Sequence, residues 1–202
     1  MRIPGEAEIV ELHERLAPHP AALDLVLTHC RIVGRVAEAL AAGLAAGTRP
    51  AVDPDLVRAG CLLHDVGVYR LYGPDGALDH ASYVRHGVLG HELLRDLGFP
   101  EVLCRFASRH TGVGLTREDV VAQRLPIPVD DYTPHSIEEQ LVAYADAFHS
   151  KTDPPTFVSP QTYAGRIARF GADKADRFAA LRARFGDPDL TALSAQYGHR
   201  TT

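Results

Sequence analysis

Residues 61–67 read CLLHDVG, an apolar run followed by an adjacent histidine and aspartate and then a glycine. The run belongs to a helical segment that starts at about Pro54, a favoured first-turn residue after Asp53, and carries Val57, Gly60, Cys61 and His64 along one stripe. Gly67 is expected to stop that helix. Successive side chains on a helix diverge by only about 100°, so at the end of this segment His64 and Asp65 can reach a common point. The carboxyl end of a helix also carries partial negative charge, which favours a cation there.

Outward from this stretch the helical period recurs, each time with a histidine on the apolar side. From about Ala21 to Ala46, one stripe holds Leu25, Val26, His29, Val33, Val36, Leu40 and Leu44. After the loop Gly73-Pro74-Asp75-Gly76, a third segment aligns His86, Gly90, Leu93, Leu94 and Leu97 and is expected to end at Gly98. A fourth starts near Pro100, aligns Leu103, Phe106, Ala107 and His110, and stops at Thr111-Gly112. Thr116 to Gln123 reads as a short helix and Leu125 to Pro134 as a surface connection. Ser136 and Glu139 make a capping-box pattern ahead of a helix that carries Val142, Asp146 and His149. The stretch from about Gln161 to Phe185 is amphipathic and rich in Arg and Ala. No pair of segments has hairpin chemistry, so the class is all-α.

Four inward histidines, His29, His64, His86 and His110, pose a physical problem. An imidazole buried without partners forfeits hydrogen bonds at a cost of roughly 1–3 kcal/mol each. A single inward histidine is usually a hydrogen-bonded core residue; four that converge are better explained by a shared ligand.

Composition narrows the rest. A chain of 202 residues fits one domain, 1–202, with a core over about 21–151 and a helical extension over about 160–200. Its longest apolar runs fall short of the roughly 20 residues a transmembrane helix needs, and the amphipathic, acidic start MRIPGEAEIVELHERL is no signal peptide. A cytoplasmic protein is expected, with no membrane partner. The formal charge of −5 makes nucleic acid an unfavoured partner. Cys30, Cys61 and Cys104, widely spaced and never CxxC, read as small buried hydrophobes.

Taken with His29 in THCRIVGRVAEAL and Asp146 in VAYADAFHSK, the run CLLHDVG resembles the HD superfamily of metal-dependent phosphohydrolases, whose signature is a His, an adjacent His-Asp and a distant Asp. The resemblance spans about His29 to Lys151. RHGVLGHELLRDLGFP (85–100) and RHTGVGLT (109–116) are similar to a small, poorly characterised branch with an extended HDIG-type core. It implies a helical bundle with the metal site in its core. His29, His64, Asp65 and Asp146 match the minimal ligand set, and His86 and His110 match the two histidines that complete a second position in binuclear members. Asp65 would bridge the ions, with His64 and Asp65 as the catalytic pair. Such a mixed set suits two divalent ions of Mn, Fe, Co, Ni or Zn. The implied reaction is hydrolysis of a small phosphorylated metabolite or nucleotide.

The sequence also departs from that pattern. Many HDIG-type hydrolases place a lysine directly after the motif, whereas Val68-Tyr69-Arg70 follows here. Arg70, Arg85, Arg109 and Lys151 are the candidates to hold the substrate phosphate instead. The GYP motif of cyclic-dinucleotide phosphodiesterases is absent. Two other readings stay open: a mixed di-iron oxygenase, whose Tyr and Glu before the first ligand are missing from residues 17–24, and a non-catalytic nucleotide sensor, in which ligands are commonly lost. His91, about 140° round the helix from His86, should lie outside the site. His149 reads as either a support to the ligands or an exposed residue, and His13, His19, His80, His135 and His199 as surface residues.

Overall fold

The computed structural model of the chain describes residues 2–44 and 51–202. In chain order it holds α1 (Glu6–Leu16), α2 (Pro20–Ala42), α3 (Pro54–Leu63), α4 (His86–Asp96), α5 (Glu101–Ser108), α6 (Arg117–Ala122) and α7 (Ile137–Asp146). The two-residue strands β1 (His149–Ser150) and β2 (Thr156–Phe157) follow, then α8 (Pro160–Ile167), α9 (Ala172–Phe185) and α10 (Thr191–Tyr197). The molecule is a helical bundle. The antiparallel β1–β2 pair is an addition to the expected elements, and strands this short leave no period to read.

The central helix α2 starts where the His19 side chain accepts the Ala22 N–H and Pro20 fills the first turn. It buries Val26, His29, Ile32, Val33, Val36 and Leu40, and ends at Ala42 with Gly43 as its cap. Residues 45 and 46 of the expected longer segment lie outside the described residues. Helix α2 packs on α3 and α7, α3 on α5 and α7, and α4 on α5. Tyr144, Phe106 and Phe148 are the largest fully buried side chains of this core. The predicted capping box forms at Ser136 and Glu139, and a second forms at Thr116 and Asp119. All three cysteines are free and buried, as expected.

Four expectations need correction. Helix α7 closes at Asp146, so His149, expected on that helix, opens strand β1 instead. Helix α3 ends at Leu63, before Gly67, and the chain tightens into a 3₁₀ turn, Val66–Leu71. Gly67 is required for contact and does not stop a helix: a Cβ there would lie 2.0 Å from the His86 carbonyl oxygen and 2.3 Å from the Gly90 nitrogen. Leu97 falls just past α4 and is 44% exposed instead of joining the stripe. His13 is fully buried, with Nδ1 2.8 Å from the Tyr69 hydroxyl and Nε2 2.7 Å from the Leu62 carbonyl oxygen. It pins α1 to the segment that carries His64 and Asp65. Among the described residues no helix is long and apolar enough to cross a membrane.

Candidate metal centre

Five elements deliver one cluster. His29 stands in the middle of α2, His64 caps the end of α3 with Asp65 next to it, and His86 opens α4. His110 follows α5 and Asp146 closes α7. The four histidines and Asp65 are buried, while the Asp146 side chain retains 22% exposure toward a cavity.

The two oxygens of Asp65 face different partners. Oδ2 lies 3.3 Å from His29 Nε2 and 3.6 Å from His64 Nε2, and Asp146 Oδ1 stands 2.9 and 3.5 Å from the same two nitrogens. Oδ1 instead faces the other pair, 3.5 Å from His86 Nε2 and 3.6 Å from His110 Nε2. These groups bring imidazole and carboxylate ligand atoms within 4.8 Å of one another, the arrangement of an HD-type metal site.

Proton accounting shows why a cation fits. His86 Nδ1 lies 2.6 Å from the Tyr83 carbonyl oxygen and His110 Nδ1 3.1 Å from that of Phe106, and a carbonyl can only accept. Each Nδ1 therefore carries the ring proton, and in a neutral ring Nε2 is left a bare lone pair. Yet these two Nε2 atoms stand 2.9 Å apart, beside Asp65 Oδ1, a buried oxygen with no hydrogen-bond partner. Three acceptors aimed at one point repel each other unless a cation lies among them.

The charges around the cluster point the same way. Burial alone would raise both carboxyls, but Lys151 and His64 hold Asp65 well below the usual carboxylate range, and His29 and His64 do so for Asp146. Burial, reinforced by the Lys151 ammonium, pushes His29 down to about 4; burial, reinforced by His110, pushes His86 down to about 4. His64 moves the other way: against the cost of burial, Asp65 raises it well above its ordinary value. A metal ion here competes with that proton, so metal affinity should rise with pH.

Beside the cluster opens a cavity of about 370 Å³ that reaches Asp146 and His149. Of the four basic candidates, Lys151 is the one inside it: its Nζ pairs with Asp65 Oδ2, and the side chain is 15% exposed. Arg70 and Arg85 are exposed and do not line this cavity, and Arg109 is turned to the Thr133 carbonyl oxygen and Glu139. Tyr83, Tyr163 and Arg166 also line it, and none was singled out from the sequence. Arg166 sits in an amphipathic helix with several other arginines, and periodicity gives no reason to separate it from them.

The remaining histidines divide clearly. His91 bonds to Ser108, away from the cluster, as its angle on the helix implied. His149 is buried, with Nδ1 2.9 Å from His29 Nδ1. His80 and His135 are exposed, whereas His19 and His199 are half-buried, His199 lying 3.0 Å from His149 Nε2.

Comparison with known proteins agrees with this geometry. A family profile described as the HD domain matches residues 26–151. An uncharacterised protein of Methanocaldococcus jannaschii is 41% identical over 121 residues, which are 60% of this chain and 64% of that protein. A tRNA (cytidine(56)-2'-O)-methyltransferase of Picrophilus torridus is 37% identical over 123 residues, 61% of this chain but 31% of the enzyme. The chain thus spans less than two thirds of the length of these relatives. Among solved structures, the HD domain of the phosphodiesterase PgpH from L. monocytogenes aligns with a TM-score of 0.55 at 16% identity, covering 94% of this chain and 98% of that one. The same domain in complex with cyclic-di-AMP aligns with a TM-score of 0.54 at 16% identity, covering 96% of this chain and 99% of that one. At that identity the likeness concerns the fold.

Proposed function

Because the chain belongs to the HD domain family, we propose that it is a metal-dependent phosphohydrolase acting on a small phosphorylated metabolite or nucleotide. The observation that carries this reading is the division of Asp65, whose two oxygens face two separate ligand sets. His29, His64, Asp146 and Asp65 Oδ2 would hold one divalent ion, and His86, His110 and Asp65 Oδ1 a second. When bound, such a pair supplies the Lewis acidity and the acidic water that phosphate-ester hydrolysis requires. Mn, Fe, Co, Ni and Zn all suit this donor set.

The chain's own groups would do the rest. Lys151 lines the cavity with its ammonium against Asp65, where it can neutralise a substrate phosphate oxygen. Tyr83 and Tyr163 offer ring faces and hydroxyls to the remainder of the substrate, and Arg166 a second cationic group. A cavity of about 370 Å³ lies toward the small end for ligand sites, which favours a metabolite or mononucleotide.

The test is a panel of mononucleotides, sugar phosphates and phosphodiesters, cyclic-di-AMP among them, assayed with Mn, Co or Ni both in air and anaerobically. Phosphate-ester cleavage that persists without air and stops with chelator is the expected result. Turnover that requires iron and dioxygen, with labelled oxygen entering a substrate carbon, would establish an oxygenase instead.

A further inference from the structure

The carboxyl-terminal segment reaches the cluster through two histidines. Phe157 N–H donates to the Arg200 carbonyl oxygen, Thr202 N–H to that of Phe157, and Ser159 N–H to that of Thr202, each at 2.9 Å. Ser194 Oγ donates to the His199 carbonyl oxygen at 2.6 Å. These bonds hold the His199 ring edge to edge with that of His149, with centroids 5.2 Å apart and planes inclined by only 23°. His149 Nε2 then lies 3.0 Å from His199 Nδ1, and its Nδ1 lies 2.9 Å from His29 Nδ1.

A neutral imidazole has one N–H and one lone pair, so three rings joined in this way have two self-consistent arrangements. In the outward one, His29 Nδ1–H donates to His149, and His149 Nε2–H donates to His199. His29 Nε2 is then a lone pair facing Asp65 and Asp146. In the inward one, His199 and His149 donate toward His29, whose proton moves to Nε2. A nitrogen that carries a proton cannot ligate a metal.

We propose that His149 and His199 are positioning residues that select the ligating tautomer of His29, so that the folded carboxyl-terminal segment sets metal affinity at the position His29 shares with His64 and Asp146. This rests on reading the cluster as a metal centre. Neither residue is among the six candidate ligands; both act through His29. His86 and His110 have their own carbonyl partners, so their position should be indifferent to the chain.

The test is calorimetric titration of the full chain with Co²⁺ at fixed pH, paired with the visible spectrum of the bound ion. His199→Glu supplies only an acceptor and His199→Lys only donors, from side chains of similar reach. His199→Glu should bind Co²⁺ as tightly as the wild type or more so, whereas His199→Lys should lose roughly tenfold in affinity for one ion and leave the other unchanged. His149→Phe should lose at least as much. Equal behaviour of the Glu and Lys variants would overturn the proposal, and so would a difference that both ion positions share or that high salt removes, because charge alone acts on both ions and is screened whereas the tautomer of His29 acts on one. Failure of the wild type to bind Co²⁺ at all would instead overturn the metal centre itself.

Discussion

Asp65 is the residue on which the site turns, and Lys151 is the one that makes a phosphate substrate reasonable. The Lys151 side chain is mostly buried, lies against Asp65, and stays charged because Asp65, Tyr83 and Asp146 together outweigh the cost of burial. Lys151→Met should therefore keep bound metal but lose roughly 10²-fold in kcat/KM for a phosphate ester, the scale of one removed electrostatic contact to the transition state. Metal content and initial rates measured on the same preparation check this, and unchanged kcat/KM would remove Lys151 from the substrate site. At this scale the sequence was partly legible. The six candidate ligands converge, because each lies on an apolar stripe or beside one. The support from His149 and His199, and the cavity wall at Tyr163 and Arg166, were not legible: these contacts join positions far apart in sequence, and periodicity carries no record of them.

The decisive contact between elements is the seat of the 3₁₀ turn on α4. Asp65 precedes that turn and His86 opens that helix, so the spacing between them depends on how closely the two backbones approach. Gly67 permits the approach, since a Cβ would enter backbone atoms of α4, which cannot rotate away. Gly67→Ala should destabilise the fold by about 3 kcal/mol, the upper end of overpacking costs. For a chain of this size that lowers Tm by roughly 6–12 °C. Thermal unfolding should show this together with weakened metal binding; an unchanged Tm and unchanged metal affinity would mean that the turn does not press on α4. The sequence placed a helix stop at Gly67, because terminal glycines and contact glycines look alike until the partner backbone is known. Helices α2, α4, α5, α6 and α7 were legible from their stripes and caps, as at Ser136 and Glu139; the division of the last third into α8, α9 and α10 was not.

For the whole molecule, the bundle gathers five chain segments around one cluster of two carboxylates and four imidazoles. The architecture was legible because amphipathic helices of this length have few ways to bury their stripes together; the cavity was not, because it depends on how residues 146–166 fold over the His/Asp cluster against Leu25, Val68, Leu78 and Tyr83. On the proposed function, one carboxylate, Asp65, serves two metal positions. The most direct measurement is the metal content per chain, by elemental analysis, of protein purified without chelator and equilibrated with Mn or Co, with circular dichroism to verify folding. Wild type should hold two ions, His86→Ala one, and Asp65→Ala none. A folded Asp65→Ala protein that still holds both ions would show that Asp65 bridges nothing.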